Sequence, residues 1–175
     1  MNRTEYTIPV KLDARTFRRF GSFDMLRLRK KWVRPAVFAL ILIAFAVIAL
    51  LTRREQSGLI AAVLLVIGLG LPLVYFGTFF SQVNMQAINY KLKPPRRVYT
   101  VRLDQAGIHV SNDQKQEQPV DVAWQDAQAA FHVRGCVYLY INAARAFLLP
   151  DGQGNAPAEE IWEYLVKHMG DRCKF

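Results

Sequence analysis

Cysteine is scarce in this chain of 175 residues, and its two cysteines are far apart. Cys136 and Cys173 form no C-x-x-C pair, so the sequence predicts neither a disulfide framework nor a zinc site. Two reduced thiols are typical of a domain that faces the cytosol. The three histidines, His109, His132 and His168, are scattered and have no H-x-x-H spacing. We therefore predict no metal, no cofactor and no catalytic histidine.

Charged side chains are missing from two long stretches, residues 35–52 and residues 59–80. The hydrocarbon core of a bilayer, ~30 Å thick, is crossed by a helix of about 20 apolar residues. We therefore predict transmembrane helices at residues 35–52 and 58–80. The alternative, a pair of buried helices in a soluble core, is disfavoured because such helices usually keep a polar stripe and these have none.

The connection between the two apolar stretches is short, since only about five residues, 53–57, join them. A loop of this length forces an antiparallel hairpin with both chain ends on one side. Basic residues flank the hairpin on that side, namely Arg27, Arg29, Lys30, Lys31, Arg34, Lys91, Lys93, Arg96 and Arg97, against Arg53 and Arg54 in the loop. The positive-inside rule therefore predicts a multi-pass protein of the bacterial cytoplasmic membrane with both termini in the cytoplasm.

Most of the net charge of +9 lies before the first helix, because residues 1–34 carry ten Lys or Arg and three Asp or Glu. This N-terminal location argues against nucleic-acid binding, which would require a basic face on the folded part of the chain. The cluster next to the membrane is predicted to sit at anionic lipid headgroups; it comprises Arg27, Arg29, Lys30, Lys31 and Arg34. General anchoring is favoured over recognition of one particular lipid.

Residues 1–34 also contain a strand pattern, because apolar and polar side chains alternate over residues 5–12. Pro9 predicts an edge position in a sheet. Asp13 is a candidate N-cap for a short helix, which Gly21 would weaken. The apolar face of residues 5–12 needs a partner, and we expect this strand to join the C-terminal sheet.

Residues 96–175 predict a small soluble domain of short antiparallel strands followed by one helix. The strand-like runs are residues 98–103, 108–110, 120–124, 129–133, 136–141 and 146–149. The final helix begins near Pro157, has Glu159 and Glu160 in its first turn, and can end at Gly170. Trp124 and Cys136 are interpreted as core residues. The predicted class is an α+β membrane protein whose soluble domain has a pleckstrin-homology-like outline.

The order of these features resembles the bacterial YcxB-like family. The motifs that carry the likeness are D-x-x-G-I (Asp104, Gly107, Ile108), V-x-W-x-D (Val122, Trp124, Asp126), YLYI (residues 138–141) and FLLP (residues 147–150). The resemblance covers nearly the whole chain and implies a YcxB-like C-terminal domain with no enzyme activity. The chain departs from the family pattern at Asp151, where relatives carry a basic residue.

No motif in the chain predicts catalysis. Asp151, Gln153 and Asn155 have a faint calcium-loop spacing, but the glycine and glutamate that such a loop needs are absent. Gly68, Gly70 and Pro72 interrupt the second apolar stretch, and we interpret them as an ordinary kink and helix contact, because neither stretch contains an ionisable residue. A transporter is therefore disfavoured. The expected function is a non-enzymatic, membrane-tethered binding or regulatory module with a protein partner. The alternative is an accessory subunit of a larger membrane complex.

Overall fold

The computed structural model describes residues 5–52, 55–92, 94–112 and 119–174. The protein has an α+β fold that divides into two compact units. The sheet unit comprises Met1–Thr16 and Lys91–Phe175, and the helical unit comprises Phe17–Tyr90. The elements are β1 (Tyr6–Leu12), α1 (Ala14–Phe23), α2 (Val33–Leu51), α3 (Ser57–Asn89), β2 (Arg96–Leu103), β3 (Gly107–Asn112), β4 (Val120–Ala123), β5 (Ala129–His132), β6 (Cys136–Tyr140), β7 (Ala146–Pro150), α4 (Ala158–Met169) and β8 (Cys173–Lys174).

The strands form two sheets, where the sequence predicted one. The first sheet has the order β1-β2-β3-β4, and the second has the order β7-β6-β5-β8. Neighbouring strands are antiparallel except for β8, which lies parallel to β5. The chain passes from the first sheet to the second between β4 and β5. Just before β5, the amide of Gln128 already donates a hydrogen bond to the carbonyl oxygen of Tyr140 on β6, in the second sheet. The small antiparallel-sheet domain is confirmed, but alternating residues do not say which strands pair, so the division into two sheets was not predicted.

The N-terminal strand is part of the first sheet. β1 pairs antiparallel with β2, from Tyr6 opposite Leu103 to Leu12 opposite Arg96. The apolar residues of the alternating pattern, Tyr6, Ile8, Val10 and Leu12, are all at most 4% exposed. This is the pairing that the apolar face of residues 5–12 required. The sheet unit is thus assembled from chain segments on both sides of the helical unit in the sequence.

The C-terminal helix α4 follows its sequence signals closely. Glu159 and Glu160 occupy its first turn, and Gly170 follows its last residue with φ 55° and ψ −129°. That backbone conformation favours glycine and explains why the helix ends there. The predicted apolar stripe is buried, since Ile161, Leu165 and Met169 are at most 6% exposed. Burying this stripe closes the core of the sheet unit.

The helical unit is dominated by α2 and α3, which are long and apolar enough to cross a membrane. With a rise of 1.5 Å per residue, the 19 residues of α2 span about 28 Å and the 33 residues of α3 span about 50 Å. The extra length of α3 includes residues 81–89, where the sequence predicted a polar continuation of the helix. The helix stops just before Pro94 and Pro95, which cannot continue it.

The contact between α2 and α3 uses small residues. A Cβ atom on Gly68 would lie 3.1 Å from the Cβ of Leu42, so glycine at this position favours the close approach of the two helices. Ala46 on α2 and Ala61 on α3 are also buried. The helix runs unbroken through Pro72, and a Cβ on Gly70 would meet nothing within 4 Å. Gly68 is therefore the helix-contact glycine that the sequence predicted, and Gly70 is not.

Helix α1 begins at the predicted cap, where the amide of Thr16 donates to the carboxylate of Asp13 at 2.7 Å. Hydrogen bonds from the Thr16 side chain and from this amide lower the pKa of Asp13, against the opposing effect of burial. Gly21 does not end the helix. A Cβ at Gly21 would lie 3.2 Å from both Cγ atoms of Val83, so the glycine permits a close approach between α1 and the end of α3. A π-helical turn then extends α1 over Asp24–Leu28.

Candidate functional site

The predicted headgroup cluster does not lie along one helix. Arg27 is in the π-helical turn, Arg29 to Lys31 form the connection that follows it, and Arg34 is in the first turn of α2. All five side chains of the cluster are exposed. Lys30 has a φ of 46°, which L-residues adopt at sharp turns. The chain therefore changes direction inside the cluster, and the basic side chains spread over a short bent segment.

Two side-chain contacts fix this bend. The Arg29 guanidinium binds the carboxylate of Asp24, with Nε 2.8 Å from Oδ2. The indole N–H of Trp32 donates to the carbonyl oxygen of Leu26 at 3.0 Å. Met25, which lies between Asp24 and Leu26 in the sequence, is fully buried. Because Asp24 balances part of the charge on Arg29, the other four basic residues carry the larger share of the net charge of the bend.

Apolar side chains are interleaved with the basic ones in the same bend. Leu26, Leu28 and Trp32 are each about two-fifths exposed, at 42%, 39% and 42%. An exposed mixture of Leu, Trp, Lys and Arg is the composition of segments that lie in a membrane interface. We refer to residues 24–34, which have this composition and are held by the two side-chain contacts, as the basic bend.

The surfaces of α2 and α3 are strongly apolar and exposed. Leu40 and Leu51 on α2 are 65% and 76% exposed, and Val66 and Leu73 on α3 are each 72% exposed. Only 6% of the apolar window of α2 and 11% of that of α3 is buried within the protein. Within the described residues, the two helices are therefore not buried as the core helices of a soluble domain usually are. Continuous apolar surface of this extent marks a site of contact with lipid or protein.

The outer edge of β1 is closed by two side chains from the loop before α4. Gln153 forms two hydrogen bonds with the backbone of Lys11, accepting from its N–H at 2.6 Å and donating to its C=O at 3.0 Å. Asn155 pairs with Thr7, whose N–H donates to the side chain and whose C=O accepts from the Asn155 amide. Pro9 lies between them and has no N–H to satisfy. The spacing that faintly resembled a calcium loop instead closes a sheet edge, and Pro9 has the predicted edge position.

A tyrosine hydroxyl likewise forms hydrogen bonds with the backbone of the edge strand β7, and these bonds join the two sheets. The hydroxyl of Tyr99 on β2 donates to the carbonyl oxygen of Leu148 at 3.0 Å and accepts from its amide at 2.8 Å. The ring contacts Phe147, with centroids 5.3 Å apart. Burial raises the pKa of Tyr99 well above its usual value. The hydroxyl thus stays protonated and remains able to donate.

His109 lies between two carboxylates on the first sheet. Its Nδ1 is 2.6 Å from Oδ1 of Asp121, and its Nε2 is 3.2 Å from Oδ1 of Asp104. The hydrogen bond to Asp121 raises the pKa of His109, against the opposing effect of burial. Burial would raise the pKa of Asp104, but hydrogen bonds from the amides of Ala106 and Gly107 and from His109 hold it below its usual value.

Sequence reasoning missed this cluster, because it treated each histidine separately. The β3–β4 register places His109 directly opposite Asp121. The pairing of the two predicted strands at residues 108–110 and 120–124 would have suggested this contact, but the connection between them left the register open. Asp104 had appeared only as part of a family motif.

The other candidate residues have structural roles. His132 binds Asp151 at 2.9 Å, and its ring lies 5.3 Å from that of Trp162. Trp124 is buried, as predicted, and its indole N–H donates to the carbonyl oxygen of Asp104. Cys136 is buried as well, and burial raises the pKa of its thiol to about 12. A thiol with this pKa is a poor nucleophile at neutral pH.

Residues 5–52, 55–92, 94–112 and 119–174 contain no group of three His, Cys, Asp or Glu side chains placed to hold a metal ion. The His109 cluster illustrates the reason, since its two carboxylates lie at opposite nitrogens of the ring and cannot share one ion with it. Arg53, Arg54 and Lys93, whose charges entered the topology prediction, lie outside the described residues.

Comparison of the chain with protein-family models, with curated proteins and with solved structures finds no match.

Proposed function

We propose that the protein is a non-enzymatic, membrane-tethered binding or regulatory module of the YcxB-like family. In this proposal α2 and α3 cross the bacterial cytoplasmic membrane, and the sheet unit is a pleckstrin-homology-like domain that engages a protein partner at the cytoplasmic face. The observation that carries the proposal is the exposure of nearly all apolar side chains on α2 and α3. Water would oppose such exposure by about 25 cal/mol per Å² of apolar surface, whereas lipid would not.

The pairing of β1 with β2 supports a hairpin that enters and leaves the membrane on one side. β1 precedes α2 and α3 in the sequence, and β2 follows them. Strands that hydrogen-bond to each other must lie in the same compartment, so the number of crossings between them is even. Two helices of sufficient length satisfy this condition.

The flanking charges support a cytoplasmic location for the sheet unit. The basic bend precedes α2, and Lys91, Arg96 and Arg97 follow α3. Basic residues near membrane helices are retained on the cytoplasmic side. Reporter fusions test this orientation: a fusion after Phe175 should be active in the cytoplasm, and one inserted at residues 53–57 should be active outside. The reverse pattern would overturn the topology.

The basic bend supports anchoring at anionic headgroups. Each Lys or Arg near an anionic surface contributes about 1 kcal/mol of attraction. We expect a variant with Arg27, Lys30 and Lys31 changed to Gln to show mixed topology, while the sheet unit stays folded. The synthetic peptide 1–34 should bind anionic vesicles more strongly than neutral ones, and more strongly at low salt. Equal binding to neutral and anionic vesicles would contradict the electrostatic account.

The polar residues of the sheet unit support binding rather than catalysis. The loop before α4 is occupied in closing β1, and the Tyr99 hydroxyl is occupied in joining the sheets. The two sheets and the C-terminal helix support the proposed pleckstrin-homology-like outline, which is an analogy of fold and not of ligand. Affinity capture in mild detergent, with the sheet unit carrying the tag, should identify the partner.

The alternative function, an accessory subunit, is favoured by one feature of α3. A Cβ on Gly70 or on Gly77 would meet nothing within 4 Å, so this face is open to another helix. Glycine faces allow close packing of helices in membranes. Replacing α2 and α3 by an unrelated hairpin of equal length separates the two proposals. Capture of the partner should survive for a sheet-unit module and should be lost for an accessory subunit.

A further inference from the structure

The position of His109 between two carboxylates suggests a role in controlling the edge of the first sheet. β4 is the last strand of that sheet and has only four residues. We propose that Asp104, His109 and Asp121 form a proton-operated latch. With both ring nitrogens protonated, His109 attaches β4 and the β2–β3 turn to β3, and the loss of one proton releases one of these attachments. The proposal does not depend on the function proposed above.

The chemistry of the ring requires this behaviour. An ionised carboxylate can only accept hydrogen bonds, and a neutral imidazole has only one N–H to donate. His109 can therefore satisfy both carboxylates only as the imidazolium. Whichever proton leaves, a nitrogen lone pair then faces a carboxylate oxygen, at 2.6 Å on the Asp121 side or 3.2 Å on the Asp104 side.

Apart from their contacts with His109, the two carboxylates have different surroundings. Asp104 also accepts from the amides of Ala106 and Gly107, at 2.9 and 3.1 Å. The side chain of Asp121 is 71% exposed, and its contact with His109 links β4 to β3 across the sheet. Of the two attachments, the one at β4 is therefore the more sensitive to the protonation of His109.

The charged groups around the cluster favour the imidazolium. Arg102, opposite His109 on β2, lies 3.5 Å from Asp104 and 3.6 Å from Glu5, so its charge is shared between two acids. Tyr164 on α4 is a further titratable group that the charge of Asp104 affects; burial, and then this charge, raise the pKa of Tyr164, so it stays neutral. Within the described residues, three carboxylates thus face one guanidinium and the ring.

The direction of the pH response follows from the raised pKa of His109. A histidine whose folded pKa lies above its unfolded value of about 6.5 stabilises the fold fully below that value. The contribution is lost as the pH rises through the raised pKa. The latch is therefore closed in mildly acidic solution and opens towards alkaline pH.

Hydrogen exchange on the full chain in neutral-lipid nanodiscs tests the latch. We expect the amides of residues 120–123 to lose protection several-fold between pH 6 and pH 9, after correction for the intrinsic pH dependence of exchange. His109→Gln should remove this pH dependence. His132→Gln is the matched control, because His132 binds a single carboxylate on the other sheet, and it should respond as the natural protein does.

A second measurement tests the proposal even if the His109→Gln variant does not fold correctly. Asp121→Asn changes an exposed side chain, and NMR titration of the His109 ring should show a lower pKa in this variant than in the natural protein. The proposal is overturned if residues 120–123 respond to pH equally in the natural protein and in His109→Gln. It is also overturned if His109 titrates at the same pH with and without the Asp121 charge.

Discussion

At the scale of the residue, the side chains that form hydrogen bonds with the backbone of edge strands were the hardest to predict. Sequence patterns identified Trp124 and Cys136 as core residues, because residue type and alternation are sufficient for that interpretation. They could not identify the partners of Tyr99 or Gln153. Those contacts join positions 49 and 142 residues apart in the chain, and each depends on how the two sheets pack.

Tyr99→Phe tests the bridge between the sheets. The change removes one hydroxyl and leaves both the amide and the carbonyl group of Leu148 without that buried partner. An unsatisfied buried group costs about 1–3 kcal/mol, so the sheet unit should unfold at a clearly lower denaturant concentration. The fluorescence of Trp124 and Trp162 would follow this transition in detergent. Tyr90→Phe, at an exposed position, should have little effect, and equal stability of the two variants would contradict the bridge.

At the scale of the element, the helices were predicted closely and the sheets only in part. Helix α4 has a proline, acidic residues and a glycine at its ends, and α2 and α3 have long apolar sequences, so each is determined locally. The strands β1 to β7 were predicted, but neither β8 nor the division into two sheets was, because strand pairing is non-local. The basic bend was predicted as a cluster, whereas its turn at Lys30 depends on the contacts of Asp24 and Trp32.

The edge of β1 gives a test at this scale. Gln153→Ala removes two hydrogen bonds to Lys11, and exposed edge strands are prone to pair with other chains. We expect the sheet unit to lose about 1 kcal/mol of stability and the amide of Lys11 to exchange faster. Gln128→Ala changes an exposed glutamine of the same unit and serves as the control. If the Lys11 amide exchanged equally fast in both variants, Gln153 would not close this edge.

At the scale of the whole molecule, the two ends of the chain together build the sheet unit. Residues 17–90 form their own unit and separate β1 from β2 in the sequence. The sequence showed the need for this arrangement, because the alternating face of residues 5–12 had no other apolar partner. It did not show the register, in which a bulge after Val10 places Lys11 opposite Arg97.

Fragments of the chain test this assembly. Without β1, the core would lose Tyr6, Ile8, Val10 and Leu12, and full burial of such side chains stabilises a fold by about 1.5–3 kcal/mol each. Because folded domains are stable by only about 5–15 kcal/mol, residues 91–175 alone should fail to fold. Residues 1–16 joined to 91–175 by a short Gly-Ser linker should instead give a soluble, cooperatively folding protein, since β1 and β2 are antiparallel neighbours.

The matched control for the fusion carries Ile8→Asp and Val10→Asp, which keep the chain length and destroy the apolar face of β1. Both positions are at most 1% exposed, so each aspartate would bury a charge without a partner. We expect this control to resemble the isolated 91–175 fragment in circular dichroism and in thermal unfolding. A fragment 91–175 that folded as stably as the fusion would show that β1 is dispensable. The pairing of β1 with β2 would then contribute little stability, and it would be too weak to require an even number of membrane crossings.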